Sequence, residues 1–188
     1  MIKYLTLKEE KRLISSIEGR HSQRNKMIVK LAVNTGLRVS ELCGLRISDV
    51  KNGRIRDELM VRKEIAKGRQ ERPIPLNRKA KEAIKAITSW NEAHHFKQDP
   101  GGKLLISQKG KGMTRQQVQT VMKKAREKAG IEIKATPHSL RHSFATRVYE
   151  RTKDIRVVQK LLGHKSITTT QIYADVTREK LKEAVDLL

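Results

Sequence analysis

Apolar residues recur at helical spacing along most of the chain, and several of these series begin at a recognisable cap. Thr6 and Glu9 have the spacing of a capping box and precede an apolar series that stops at Gly19. A second series ends just before Gly36, whose position suits a left-handed C-terminal cap. The pattern therefore predicts two helices at the start of the chain, the second ending at Thr35.

The next part of the chain changes to a β pattern. Residues 55–65 mix β-forming side chains with charges, Lys67-Gly68 has turn composition, and 72–76 is predicted as an extended return strand. Further helices are predicted at 37–45, 77–93, from the Thr114/Gln117 capping box to Gly130, and at 138–150, 154–162, 166–174 and 178–188. The predicted fold is mainly α with a small antiparallel β-sheet (α+β), in a single domain over residues 1–188.

Charge narrows the range of partners. The 42 Lys and Arg residues outnumber the 20 Asp and Glu residues, which gives a formal net charge of +22. A large polyanion is the natural partner of such a surface. Aromatic residues make up 3% of the chain, too few for a base-stacking surface, so double-stranded DNA held by its phosphates is favoured over single strands or RNA.

Composition also indicates the compartment. No apolar run approaches the length of a membrane span, and no signal peptide begins the chain. Cys43 is the lone cysteine, so it has no partner for an internal disulfide and is predicted to lie in the core. We expect a cytoplasmic, nucleoid-associated protein.

Each candidate for chemistry has an ordinary structural explanation when it is taken alone. Arg38 and Glu41 have the spacing of a helical ion pair, and Lys67 suits a solvated turn. His164 follows Gly163 where a histidine can cap a helix, and Tyr173 could be a core tyrosine on a short helix.

The segment His138-Ser139-Leu140-Arg141-His142 is more informative. Two histidines four residues apart share a helix face, which first suggests zinc. The metalloprotease pattern requires a glutamate where Ser139 stands, and Arg141 would repel a cation. An arginine beside a histidine instead suits the binding of a phosphate oxyanion. No metal and no cofactor are predicted.

Three segments together resemble the tyrosine recombinase, or phage integrase, family: Thr35-Gly36-Leu37-Arg38-Val39-Ser40-Glu41-Leu42, the 138–146 segment, and Leu161-Leu162-Gly163-His164 followed nine residues later by Tyr173. Lys67-Gly68 ahead of Arg72-Pro73-Ile74-Pro75-Leu76 resembles the family's lysine-bearing hairpin. The motifs occur in the family's order and cover nearly the whole chain.

The resemblance implies a site-specific DNA recombinase in which Tyr173 attacks a DNA phosphate and forms a 3′-phosphotyrosyl bond without metal or ATP. It implies that Arg38 and Arg141 stabilise the phosphate and that Lys67 protonates the leaving oxygen. It assigns His138 as the base toward Tyr173 and His164 as a further phosphate donor. Glu41 would orient Arg38, and His142 is left with a structural role.

The resemblance also implies the assembly. We expect a monomer without DNA and a homotetramer on DNA, in which residues 178–188 are exchanged between subunits or pack in cis, with accessory DNA-bending proteins as possible partners. Most family members place a helical DNA-clamping domain before the first motif, whereas this sequence begins almost directly with that motif, as expected for either a fragment or a naturally minimal enzyme.

Two other functions remain open at this stage. A type IB topoisomerase shares the same chemistry but relaxes supercoils, and a non-catalytic basic DNA-binding protein would share the scaffold. A metal-dependent nuclease is disfavoured because no tight group of carboxylates lies near the histidines.

Overall fold

A computed structural model describes residues 4–133, 135–164 and 166–173. Within these ranges the helices are α1 Leu7–Ser15, α2 Ser22–Thr35, α3 Val39–Gly44, α4 Ile47–Val50, α5 Arg78–Ala93, α6 Arg115–Lys128, α7 Pro137–Thr152, α8 Ile155–Leu162 and α9 Thr168–Gln171. The strands are β1 Lys51–Asn52, β2 Arg54–Ile55, β3 Glu58–Val61 and β4 Arg72–Pro75. The predicted α+β fold class is therefore confirmed, and segment 178–188 lies outside the described residues.

Helix α2 lies at the centre of the fold and packs against α5 and α7. Leu31 is fully buried, and Ile28 and Val29 of the same helix are almost fully buried. A main core cluster runs from α1 through α6 to the start of α7, and a smaller cluster holds Ala145, Val158, Leu162 and Tyr173. The smaller cluster joins α7 to α8 and brings the end of the described chain against α7.

The β structure differs in detail from the prediction. The described residues form two separate two-stranded antiparallel sheets, β1 with β2 and β3 with β4, where one small sheet was expected. The β1–β2 hairpin and the short helix α4 were not predicted, because two-residue strands and a single helical turn carry too few positions to show a period. The β3–β4 pair agrees with the predicted return strand, and its long connection carries Lys67.

Local caps explain most helix boundaries. Thr6 and Thr114 each accept a hydrogen bond from the third helical N–H, as their capping-box spacing predicted. Helix α1 nevertheless ends at Ser15, before the predicted stop at Gly19. Helix α7 begins at Pro137, where the missing N–H costs no hydrogen bond, and Thr136 caps it.

Candidate active site

The junction between α2 and α3 supplies the first arginine. Gly36 adopts the left-handed conformation (φ +62°) and ends α2, so the chain turns and Arg38 becomes the N-cap residue of α3. The Arg38 backbone N–H donates to Glu41 Oε2 at 2.8 Å, and Arg38 Nη1 donates to Glu41 Oε1 at 3.2 Å. The Arg38 side chain is 22% exposed, so its other N–H groups can reach a ligand.

Gly36 is also required by close packing. A Cβ at this position would lie 2.3 Å from the ring of Phe144, whereas a Cβ at Gly53, which has a similar φ of +66°, would have nothing within 4 Å. We expect Gly53→Ala to lower the free energy of unfolding by about 1 kcal/mol through backbone strain alone. Gly36→Ala should cost roughly 2–4 kcal/mol, because displacement of Phe144 is added. Urea unfolding of both variants tests this, and equal costs would contradict the packing argument.

Glu41 is the buried anion that holds the arginines together. Its side chain is fully buried, and it accepts from Arg72 Nη1 at 3.1 Å and from Arg72 Nη2 at 2.9 Å. Burial by itself would raise the pKa of Glu41, but the hydrogen bonds and charge of Arg72, aided by Arg38, outweigh it and lower the pKa below its ordinary value. Glu41 is therefore a carboxylate at neutral pH and orients two arginines rather than one.

Arg72 is a site residue that the sequence did not single out. It is buried on β4, and besides Glu41 it donates from Nε to the Leu161 carbonyl at the end of α8. Gly163 leaves room for it, since a Cβ there would lie 2.9 Å from Arg72 Cδ. Arg72 thus connects the hairpin that carries Lys67 to the motif segment of Glu41 and to the motif segment of Leu161. The signal in the sequence that could have identified it is its position in the 72–76 motif of the lysine-bearing hairpin.

Arg141 is almost fully buried on α7, and its guanidinium joins three elements. Nη1 donates to the Gly36 carbonyl at 2.7 Å, and Nη2 donates to the Leu162 carbonyl at 2.7 Å and to His164 Nε2 at 3.1 Å. Burial lowers the pKa of Arg141 to about 9, so the group keeps its charge at neutral pH. A guanidinium has five N–H donors, and these contacts use three of them.

His164 follows the left-handed Gly163 that ends α8. Its Nε2 accepts from Arg141, which has only donors, so the proton lies on Nδ1 and is donated to Thr170 Oγ1 at 3.0 Å. Burial, followed by the charges of Arg141 and Arg38, lowers the pKa of His164 to about 4. The imidazole is therefore neutral, and its two ring nitrogens contact Arg141 and Thr170.

Lys67 and His138 lie on the exposed side of the site. Lys67 is exposed in the turn between β3 and β4, and His138 is exposed in the first turn of α7. Burial lowers the pKa of His138, and the charges of Arg141 and Arg38 lower it further. Lys67 adds to the same effect, so its ammonium lies within electrostatic reach of His138.

Tyr173 reaches the site from the turn that follows α9 and is 8% exposed. Its hydroxyl lies 2.7 Å from His142 Nδ1, and in the described part of the chain no hydrogen bond joins it to His138. Burial raises the pKa of Tyr173, and the charges of Arg141 and Arg38 oppose that rise. The geometry thus gives His142, to which the sequence assigned no chemical task, the contact that the resemblance assigned to His138.

The structure joins most of the predicted site residues. Arg38, Glu41, Arg141 and His164 are joined by direct contacts, and Tyr173 contacts His142, whose ring packs against that of His138. Lys67 is exposed in the turn between β3 and β4, and its charge lowers the pKa of His138 without a direct contact between the two among the described residues. Cys43 packs against the main core, and burial raises the pKa of its thiol to about 11.

Metal binding and membrane insertion would each need a particular arrangement of side chains or helices. No group of three or more His, Cys, Asp or Glu side chains is arranged to hold a metal ion in that part of the chain. No helix formed by those residues has the length and apolar character needed to cross a bilayer.

Comparison with known sequences identifies the family. The sequence profile of the phage integrase family matches residues 3–180. The chain belongs to the phage integrase family. Among its curated relatives, tyrosine recombinase XerA of Pyrococcus furiosus is 42% identical and XerD of Halalkalibacterium halodurans is 36% identical; the matches cover 98% and 96% of this chain and 61% and 60% of those proteins. The chain spans about half to three fifths of the length of the curated relatives it matches.

Solved structures of family members have the same fold. The crystal structure of XerA recombinase matches with a TM-score of 0.80 and 32% identity, covering 100% of this chain and 65% of that one. The pre-cleavage complex of XerH recombinase bound to its difH substrate matches with a TM-score of 0.77 and 27% identity, covering 98% of this chain and 53% of that one.

Proposed function

We propose that this chain is the catalytic part of a site-specific DNA recombinase that cuts and rejoins duplex DNA through a 3′-phosphotyrosyl intermediate. The observation that carries the proposal is the meeting of Tyr173 with a group of arginines and histidines drawn from three distant segments. Such a group is suited to a phosphodiester, because fixed guanidinium donors match the oxygens of a pentavalent transition state. The recombinase relatives favour strand exchange over the topoisomerase alternative.

In the proposed reaction, Tyr173 Oη gives up its proton to a neighbouring histidine and forms a bond to phosphorus while the bond from phosphorus to the 5′-oxygen breaks. Lys67 donates a proton to that 5′-oxygen, so a free 5′-hydroxyl leaves. In the second step a 5′-hydroxyl of a partner strand attacks the phosphotyrosine and releases Tyr173. One phosphodiester is made for each one broken, so no nucleotide cofactor is consumed.

Arg38 and Arg141 supply the charge that neutralises the phosphate oxygens. Many phosphoryl-transfer sites use Mg²⁺ for this task, but guanidinium groups stay charged and present donors in a fixed plane. Glu41 and His164 hydrogen-bond to these two arginines, and we propose that exposed His138 donates to a third oxygen. We therefore propose activity without a metal.

The proposed partner is double-stranded DNA bound mainly through phosphates. The +22 charge supports this, as do relatives solved with DNA, such as the Tn1549 transposon integrase in complex with circular intermediate DNA. We further propose assembly as a homotetramer on DNA from monomers, with exchange of the segment 178–188 and with accessory DNA-bending proteins as candidate partners. The clamping domain that most members carry would add to the DNA contacts.

The proposal is tested by trapping the intermediate. Wild-type protein is mixed in chelator with a pool of labelled duplexes that carry nicks at varied positions, so that a short cleaved strand diffuses away. We expect protein-linked DNA on a denaturing gel and, after digestion, a phosphonucleotide on the peptide that contains Tyr173.

Tyr149→Phe is the matched control, because Tyr149 packs in the same small cluster as Tyr173. The adduct should persist in Tyr149→Phe and vanish in Tyr173→Phe, with equal DNA binding by both. An adduct that survives in Tyr173→Phe, or no adduct with wild type under any salt condition that allows DNA binding, would overturn the proposal.

A further inference from the structure

The hydrogen bond on the nucleophile points to a residue that the family resemblance leaves without a task. Tyr173 Oη and His142 Nδ1 are 2.7 Å apart, the distance of a normal hydrogen bond from a hydroxyl. The two residues are 31 positions apart, so the contact depends on the packing of the end of the chain against α7. The two rings also pack against each other at an interplanar angle of 51°, with centroids 5.5 Å apart.

The surroundings of His142 keep it uncharged in the free protein. Burial, followed by the charges of His138 and Arg141 on its own helix, lowers the pKa of His142 to about 4. His164, after α8, and Tyr173, after α9, are the other titratable groups that interact with it. In the neutral tautomer that carries its proton on Nε2, His142 Nδ1 has a lone pair and accepts a hydrogen bond from the Tyr173 hydroxyl.

We infer that His142 is the proton acceptor for Tyr173 in strand cleavage, and that His138 instead faces the phosphate oxygens. This inference rests on the proposed function. As Tyr173 Oη bonds to phosphorus, its proton passes to His142 Nδ1 and the ring becomes an imidazolium. In the rejoining step the phosphorus–Oη bond breaks and the imidazolium returns the proton to the phenol oxygen.

A weak base is adequate for this transfer. The phenol proton becomes strongly acidic as the bond to phosphorus forms. A base therefore takes this proton within the transition state if the pKa of its protonated form lies below that of the free phenol and above that of the protonated ester oxygen. The incoming phosphodiester also carries a negative charge, which opposes the repulsion that His142 feels from Arg141 and His138. His138 is the more exposed of the two histidines, and the charge of Lys67 contributes to lowering its pKa. Lys67 is the proposed proton donor to the leaving oxygen.

The test uses substrates in which the 5′-bridging oxygen is replaced by sulfur, built on a duplex recovered from the trapped adduct. A thiolate leaves without a proton, so this substrate removes the need for an acid but not for a base. We expect Lys67→Ala to lose activity on the ordinary duplex and regain it on the sulfur duplex. His142→Asn, which keeps an acceptor near the Nδ1 position but cannot take a proton, should lose about 10²–10⁴-fold on both.

The pH profile separates proton transfer from a structural defect. On the sulfur duplex the wild-type cleavage rate should be flat from about pH 6.5 to 9, since His142 is neutral throughout that range. The rate of His142→Asn should rise about tenfold per pH unit as phenolate forms, whereas that of His138→Asn should stay flat. A damaged fold would lower the rate equally at every pH.

His95→Asn is the matched control for the substitution itself, since His95 is exposed in a left-handed turn (φ +58°) that asparagine accepts. It should behave as wild type. The inference is overturned if His142→Asn cleaves the sulfur duplex within about threefold of wild type, or if His138→Asn alone acquires the rising pH profile. If wild type forms no adduct at all, the proposed function has failed rather than the assignment of His142.

Discussion

Arg141→Ala is expected to lower the rate of covalent adduct formation by about 10³-fold or more and also to destabilise the fold. The kinetic loss follows because a fixed donor to the transition-state oxygens disappears. The loss of stability follows because the carbonyls of Gly36 and Leu162 lose their shared donor inside the protein. Two unsatisfied buried carbonyls should cost about 2–4 kcal/mol in the free energy of unfolding.

Arg38→Ala is the matched comparison, because Arg38 carries the same charge at the same site but is partly exposed. In the described ranges its guanidinium is hydrogen-bonded to Glu41 and to no main-chain carbonyl. We expect a similar kinetic loss but a stability change below about 1 kcal/mol. Adduct rates and urea unfolding of both variants provide the test. Equal stability of the two variants would show that Arg141 does not support the α2 and α8 ends.

Arg141→Lys keeps a positive charge but should recover little of the activity. A single ammonium has three donors at one point, whereas the guanidinium reaches the Gly36 carbonyl from Nη1 and both the Leu162 carbonyl and His164 from Nη2. A lysine that satisfied one partner would leave the others without a donor. Recovery of activity by lysine would mean that charge alone matters at this position.

The sequence predicts helix boundaries correctly where the contacts that determine them are made between residues close together in the chain. The caps at Thr6 and Thr114 and the left-handed stop at Gly36 depend on contacts within about one helical turn, so their spacing could be seen directly. The same holds for the order of the motif segments. The predicted long helices accordingly appear within a few residues of their observed bounds, whereas α4 and the β1–β2 hairpin are too short to leave such a signal.

The contacts between the site residues could not be predicted in the same way. Which histidine meets Tyr173 depends on how the chain after α9 packs against α7, and the residues share no sequence neighbourhood. The pairing of Arg72 with Glu41 likewise joins β4 to α3 across 31 positions. The sequence supplied the residue types, but tertiary packing decides their partners.

We expect the second large effect from Glu41→Gln, which should lower the free energy of unfolding because Glu41 is the buried anion among three arginines. Besides the bonds from Arg72 and Arg38, its Oε2 lies 3.9 Å from Arg141 Nη1. Glutamine has nearly the same shape but no charge, and its NH₂ group would face N–H donors. Removing one partner of a buried ion pair should lower the free energy of unfolding by about 3–5 kcal/mol.

Glu82→Gln is the control, since Glu82 forms an exposed ion pair with Arg78 one helical turn away on α5. Such a pair contributes about 0.3–0.5 kcal/mol, so this variant should unfold almost as wild type does. Similar costs for the two substitutions would contradict the assignment of Glu41 as the central anion. Adduct formation should fall only in Glu41→Gln, because Arg38 and Arg72 lose their common partner.

The lowered pKa of Glu41 also predicts how the free energy of unfolding depends on pH in acid. Because the pKa of Glu41 is lower in the folded protein than in the unfolded chain, the carboxylate contributes its full stabilisation above the unfolded-state pKa. That contribution is lost as the pH falls through the folded-state pKa, where the unfolded chain has already taken up its proton. Urea unfolding of wild type and Glu41→Gln should therefore show a large stability difference at neutral pH that narrows below about pH 4. A difference that stays constant down to the acid transition would mean that the arginines, and not the carboxylate charge, determine the stability of this site.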